Sequence, residues 1–117
     1  MRILFDNGTP RGVAAALVGH AVEEARARGW DTLHNGELLD AAEAAGFDLF
    51  LTTDQNLRYQ QNLSGRKIGI VVLGKGRWRL IRLRMAEIVA AVDAAAPGSY
   101  REVEIPLNER SPLHTDP

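Results

Sequence analysis

The sequence DLFLTTDQNL, at residues 48–57, decides the fold of this chain. It opens with a short run of large apolar residues, 49–51, which is typical of a buried strand and too short for an amphipathic helix. The sequence then changes abruptly to the polar Thr52, Thr53 and Asp54. Because ligands of open α/β sheets bind just beyond the carboxyl ends of the strands, Asp54 lies where a functional carboxylate is expected.

The first ten residues repeat this pattern. Residues 3–5 are Ile-Leu-Phe, and the turn-forming sequence DNGTP follows directly at residues 6–10. A second predicted strand therefore also ends on an aspartate, Asp6. If the two strands are parallel and close in one sheet, the carboxylates of Asp6 and Asp54 come together at its edge.

The rest of the chain alternates between predicted strands and helices. Strands are predicted at residues 20–25, 68–73 and 100–107, and helices at residues 13–17, 36–45, 54–63 and 78–95. Asn35 is the expected N-cap of the second helix, and Gly46 is expected to close it. This alternation predicts an α/β fold, a three-layer α/β/α sandwich around a mainly parallel sheet of about five strands. We expect one domain at residues 1–107 and a flexible tail at residues 108–117.

Composition excludes several classes of protein. The chain has 117 residues, of which 45% are hydrophobic and 25% charged, as is ordinary for a globular protein. It has no cysteine, which excludes disulfides and thiolate metal sites, and its three histidines have no metal-ligand spacing. No apolar run approaches the roughly 20 residues that cross a bilayer, and the N-terminus lacks a signal-peptide pattern. We expect a cytoplasmic protein without a membrane partner.

The net charge of -1 hides a strong asymmetry. Residues 55–86 contain no Asp or Glu and eight Lys or Arg, whereas the remainder holds all 15 acids and six bases. Such a segment predicts an anionic partner, although a solvated helix face with loop lysines would give the same composition. The residues expected to contact nucleic acid are Arg58, Lys75, Arg77, Arg79 and Arg82.

Three acids form the candidate catalytic set: Asp6, Asp54 and Glu37, the last in the first turn of a predicted helix. Carboxylates gathered at one edge repel one another unless a cation intervenes, and Mg²⁺ and Mn²⁺ prefer oxygen ligands. Each acid also has a structural alternative, because Asp6 can start a turn, Asp54 can cap a helix and Glu37 can complement a helix dipole. The polar residues that could support the site are Asn7, Thr53 and Asn56.

Three segments together resemble a known family. ILFDNGTP at residues 3–10, NGELL at residues 35–39 and LTTDQNL at residues 51–57 are similar to the short PIN-like proteins of the DUF5615 family. The resemblance covers roughly residues 1–75. It implies a PIN-like fold related to metal-dependent ribonucleases, many of which are toxins of bacterial toxin–antitoxin pairs, with Asp6, Glu37 and Asp54 at three of the acidic positions.

The chain departs from that family at one position. PIN nucleases often carry a fourth acid just beyond the fourth strand, where this chain has LGKG at residues 73–76. The first interpretation is a ribonuclease that uses Mg²⁺ or Mn²⁺ and acts as a toxin, with RNA as substrate and a cognate antitoxin protein as partner, and with homodimerisation left open. The missing acid favours an alternative, a catalytically degenerate PIN-like module that binds RNA or a partner protein.

A phospho-accepting receiver domain is a third interpretation, because receivers also have Asp at the ends of their first and third strands. Receivers usually show an acidic pair after the first strand, where this chain has Asp6-Asn7. They also need a hydroxyl at the end of the fourth strand, where this chain has Leu73-Gly74. Both departures make the receiver the weakest of the three interpretations.

Overall fold

A five-stranded, entirely parallel sheet forms the centre of the protein. The computed structural model describes residues 1–74 and 77–105, apart from the side chain of Asn35. The strand order is β2-β1-β3-β4-β5, and all four pairings are parallel. The strands are β1 (Arg2–Phe5), β2 (Ala21–Glu24), β3 (Leu49–Thr52), β4 (Gly69–Leu73) and β5 (Tyr100–Val103). The predicted α/β fold is therefore confirmed.

Helices cover both faces of this sheet. The α-helices are α1 (Asn35–Ala44), α2 (Leu57–Gln60), α3 (Trp78–Ile81) and α4 (Met85–Asp93), and 3-10 helices span Arg11–Ala16, Ala25–Arg28 and Arg82–Arg84. Within residues 1–74 and 77–105, no helix is both long and apolar enough to cross a membrane.

Two apolar clusters, one on each face, make the fold a three-layer sandwich. On one face Ile88 and Val92 of α4 pack with alternate residues of the central strands, such as Ile3 and Leu51. On the other face residues of α1 and α2 pack with the intervening strand residues; these are Leu38, Leu39, Ala42 and Leu57. Every residue of β3 and β4 is buried, as expected for central parallel strands covered on both sides.

The predicted helix at residues 78–95 is wrong as a single helix. The chain forms α3, then a 3-10 turn at Arg82–Arg84, then α4, and the backbone of Arg84 leaves the α conformation (φ -117°, ψ 24°). Ile81 of α3 and Ile88 of α4, on either side of this turn, belong to the same apolar cluster, whereas Leu83 within the turn is exposed.

Three other predicted boundaries are also corrected. The helix predicted at residues 54–63 forms only at Leu57–Gln60, because the Asp54 carboxylate accepts a hydrogen bond from the Asn56 N–H and holds the preceding residues in a turn. His34, and not Asn35, occupies the N-cap position of α1. The last predicted strand ends at Val103; Leu107 and the predicted tail lie outside the described residues.

The strand order fixes where a ligand site is expected. From β1 the chain moves to β2 on one side and later to β3 on the other, so the order reverses between β1 and β3. In doubly wound sheets this reversal opens a crevice at the carboxyl ends of the two strands, and ligands bind there. Gly46 has a φ of +83° and turns the chain out of α1. The chain can then enter β3 at its amino end, which is opposite the crevice.

Candidate active site at the carboxyl ends of β1 and β3

An acidic cavity of about 230 Å³ lies at the crevice between β1 and β3. Asp6 follows β1 and Asp54 follows β3, and both line the cavity, as predicted. Asp31, from the loop after the Ala25–Arg28 3-10 helix, is a third acidic residue in its lining. Among the described residues, no Lys or Arg lines this cavity, so no side-chain ammonium or guanidinium in its wall neutralises the carboxylates.

Three hydrogen bonds hold the Asp6 carboxylate in one orientation. Its Oδ1 accepts from the Gly8 N–H at 3.2 Å and from the Thr9 hydroxyl at 2.5 Å. Its Oδ2 accepts from the hydroxyl of Thr52, the last residue of β3. Thr9 and Thr52 are 5% and 1% exposed, so the aspartate is anchored on buried partners. Asp6 thus starts a turn and also presents a fixed carboxylate, and the two interpretations of this residue are compatible.

Asp54 is positioned by the same threonine. Its backbone N–H donates to Thr52 Oγ1 at 3.0 Å, and its Oδ1 accepts from the Asn56 N–H at 3.0 Å. Among the described residues, Oδ2 of Asp54 has no hydrogen-bond donor. This oxygen of a half-buried carboxylate is therefore available to a ligand in the cavity.

Asn7 adds a buried acceptor to the cavity wall. Its Nδ2 donates to the Asp31 carbonyl at 3.4 Å, whereas its Oδ1 is buried and has no hydrogen-bond partner among the described residues. Leaving a buried acceptor unpaired costs about 1–3 kcal/mol. An amide oxygen in this state, beside carboxylates, fits a site that supplies oxygen ligands to a cation.

The other predicted site residues do not line this cavity. Glu37 is exposed in the first turn of α1 and does not line it. Thr53 is half-buried, with its hydroxyl 3.1 Å from the position that a Cβ on Gly8 would occupy. Asn56 lines a neighbouring groove. Sequence reasoning missed Asp31, which lies in an aperiodic loop and gives no signal, and Thr52, which was identified only as part of a strand end.

The predicted nucleic-acid contacts divide into two groups. Arg77, Arg79 and Arg82 are exposed in and around α3, which begins just beyond the carboxyl end of β4. Arg58, on α2, instead forms an ion pair with Glu102 at 3.6 Å and a hydrogen bond to the Tyr59 hydroxyl. Lys75 lies outside the described residues.

Trp78 fixes α3 against the segment that follows β1. A Cβ on Gly12 would lie 2.4 Å from the Trp78 ring, so the indole packs directly on the glycine backbone. Gly12 belongs to the 3-10 helix that begins five residues after Asp6. The start of α3 is thereby held against the segment that follows Asp6.

The cavity fits a hard divalent cation that keeps part of its hydration shell. Among the described residues, no three His, Asp or Glu side chains are gathered closely enough to hold a metal by themselves. Mg²⁺, however, retains several waters and is usually bound through one or two carboxylates. Asp6, Asp54 and the unpaired Asn7 Oδ1 match that requirement.

Comparison with models of protein families, with curated proteins and with solved structures finds no match to this chain.

Proposed function

We propose that this protein is an RNA-cleaving hydrolase that uses Mg²⁺ or Mn²⁺. The observation that carries the proposal is the convergence of Asp6 and Asp54, from two neighbouring parallel strands, on one cavity at the reversal of strand order. A bound cation would lower the pKa of a water molecule and neutralise charge on a phosphodiester. The resemblance to the DUF5615 PIN-like proteins supports RNA as the substrate.

The chain itself supplies orientation and charge. The Thr52 hydroxyl is hydrogen-bonded to both the Asp6 carboxylate and the Asp54 backbone, so the two acids keep fixed positions relative to each other before any ligand binds. Arg77 and Arg82, which are exposed at the two ends of α3, add positive charge near the carboxyl edge of the sheet, where they can attract a polyanion. Glu37 stays a predicted catalytic residue that could act only from outside the cavity lining.

A second candidate function is an RNA-binding or protein-binding module without catalysis. The observation that favours it is that no three acids among the described residues lie close enough to hold a metal, together with the absence of a carboxylate at Leu73-Gly74, where β4 ends. In either case the partner protein proposed for the chain is a cognate antitoxin, on the basis of the family resemblance alone.

Calorimetry with Mn²⁺ and RNA cleavage on the same variants test the proposal. Asp54→Asn should abolish cleavage and weaken Mn²⁺ binding, because the substitution removes a charge and leaves the turn acceptor in place. Asp40→Asn is the matched control, since Asp40 is 73% exposed on α1 and does not line the cavity. Cleavage by a folded Asp6→Asn, Asp54→Asn double variant would refute the site. Binding of RNA without cleavage by the wild type would favour the second candidate.

A further inference from the structure

Tyr59 is a solvent-exposed aromatic ring held in place by its neighbour. Its side chain is on the exposed surface of α2, and the residue is 73% exposed. The Arg58 Nη2 donates to the Tyr59 hydroxyl at 2.6 Å, and the guanidinium carbon lies 4.8 Å from the ring centroid. An exposed tyrosine without such contacts samples several rotamers, whereas this ring has a defined position.

Residues of the edge strand β5 fix Arg58 in turn. The Arg58 Nε lies 3.6 Å from Glu102 Oε2, and its guanidinium carbon lies 6.0 Å from the Tyr100 ring. The Tyr100 hydroxyl donates to the same Glu102 oxygen at 2.8 Å. Burial, followed by this hydrogen bond, raises the pKa of Tyr100 to about 12, so the hydroxyl remains a donor at neutral pH. A preorganised cluster therefore joins α2 and β5, and its members are Arg58, Tyr59, Tyr100 and Glu102.

A groove of about 490 Å³ opens beside this cluster. Its lining includes Gln55, Asn56, Arg58 and Tyr59 from in and before α2, and Glu102 and Glu104 from in and after β5. Gln55 directly follows Asp54 in the chain, so one short segment separates the groove from the acidic cavity. The groove and the cavity are thus adjacent subsites at the carboxyl edge of the sheet.

The groups in the groove suit a nucleobase better than a phosphate. Among the described residues, two acidic residues and one arginine line the groove, a formal charge of -1 that disfavours phosphate. Carboxylates do accept hydrogen bonds from the amino groups of bases, and amide side chains can donate to and accept from base edges. Exposed tyrosine rings provide stacking surfaces for unpaired bases in single-strand-binding proteins.

We infer that this groove binds an unpaired base of single-stranded RNA, which stacks on Tyr59. The inference rests on the proposed function, because it takes RNA as the ligand, and it adds the substrate class. Bases within a duplex are stacked and paired, and their edges face a groove that side chains cannot readily enter. The protein therefore selects single strands, and the phosphodiester next to the bound base lies toward Asp54.

Binding assays in EDTA test the inference without requiring catalysis. The probes are a labelled single-stranded RNA, an abasic oligomer of the same length and a hairpin duplex. The wild type should bind the single strand about tenfold more tightly than the abasic oligomer, the size of effect typical of one stacked base, and should also prefer it to the duplex. Tyr59→Leu should lose the preference over the abasic oligomer, and Tyr59→Phe, which keeps the ring, should retain it.

Three results would overturn the inference. In the first, the wild type binds the abasic oligomer as tightly as the single-stranded RNA, or binds no RNA at all. In the second, Tyr59→Leu keeps the preference for the single strand. In the third, both variants lose the preference, which would assign it to the hydroxyl. Cleavage with Mn²⁺ is scored separately. Base preference without cleavage refutes the hydrolase proposal and supports the base subsite. Cleavage without base preference refutes the base subsite and supports the hydrolase proposal.

Discussion

The hydroxyl of Thr52 donates to the Asp6 carboxylate across the boundary between β3 and β1. The same oxygen accepts the backbone N–H of Asp54. One buried hydroxyl thus joins the two aspartates, and the geometry of the proposed site depends on a residue that would not itself need to contact the substrate.

Replacing this hydroxyl by a methyl group should therefore damage both stability and the site. Thr52→Val keeps the size and shape of the side chain but leaves the Asp54 N–H and one Asp6 oxygen without a partner. We expect a loss of about 1–3 kcal/mol in the free energy of unfolding, measured by urea denaturation, and weaker Mn²⁺ binding. Thr32→Val, the same change at an exposed loop residue, should stay within about 0.5 kcal/mol. Equal stability of the two variants would contradict this role.

We expect substitutions of Asp31 and of Glu37 to have different effects on cation binding. Asp31 lines the cavity and Glu37 does not, although the family resemblance implies a role for Glu37. We expect Asp31→Asn to weaken Mn²⁺ binding about tenfold, as for loss of a residue that supports metal ligands, and Glu37→Gln to leave it unchanged. Calorimetric titration of both variants measures the difference. The reverse pattern would show that the first turn of α1 moves toward the cavity when the cation binds.

The ion pair between Glu43 and Arg66 should make stability depend on pH. Burial acts to raise the pKa of Glu43, but hydrogen bonds from Arg66 and from the N–H groups of Lys67 and Ile68 outweigh burial and lower the pKa below 4.5. A lowered pKa means that the stabilisation is complete above pH 4.5 and is lost as the pH falls through the folded-state value.

Glu43→Gln should accordingly cost about 1–3 kcal/mol at pH 7, and the cost should shrink in acid as wild-type Glu43 becomes protonated. The matched control is Asp40→Asn, which removes a 73% exposed partner of the same arginine. Such exposed pairs contribute about 0–1 kcal/mol. Thermal unfolding of the three proteins at pH 7 and pH 3 checks the prediction. A pH-independent difference between wild type and Glu43→Gln would argue against it.

The exposed arginines around α3 should contribute to RNA affinity through counterion release. Arg77→Gln and Arg82→Gln should each weaken binding to all single-stranded sequences alike and reduce the slope of log affinity against log salt by about 0.7. Lys67→Gln is the control, because Lys67 is exposed at the opposite, amino end of β4. Fluorescence anisotropy across a salt series gives the slopes. If the control lowers the slope as much as the arginine variants do, the contacts are not confined to the α3 surface.

The strands were the most predictable part of the fold. Residues 3–5, 49–51 and 68–73 match β1, β3 and β4 to within one residue at each end, because buried parallel strands leave continuous apolar runs. The same runs, followed by aspartates, were sufficient to predict that Asp6 and Asp54 would share one edge. The interruption between α3 and α4 could not be read from the apolar stripe, since Ile81 and Ile88 keep helical spacing on both sides of the turn.

The remaining site residues depend on features that periodicity does not contain. Leu38, Leu39 and Ala42 direct one face of α1 to the sheet, which leaves Glu37 on the exposed side, whereas its place in the first turn had suggested the active edge. Asp31 reaches the cavity from a loop, where no repeating pattern fixes side-chain direction. Both placements depend on tertiary packing.

The position of the acidic cavity in the chain also determines when it can form during synthesis. All the described residues that line it lie within the first 57 residues, so they are synthesised before β4 and α4. Yet β3 pairs with β4 along its whole length, and its residues Leu49 and Leu51 belong to the apolar cluster that includes α4. The described lining residues are therefore made before the strand and the helix that hold β3 in place, and the cavity takes its shape only when most of the described chain has been synthesised.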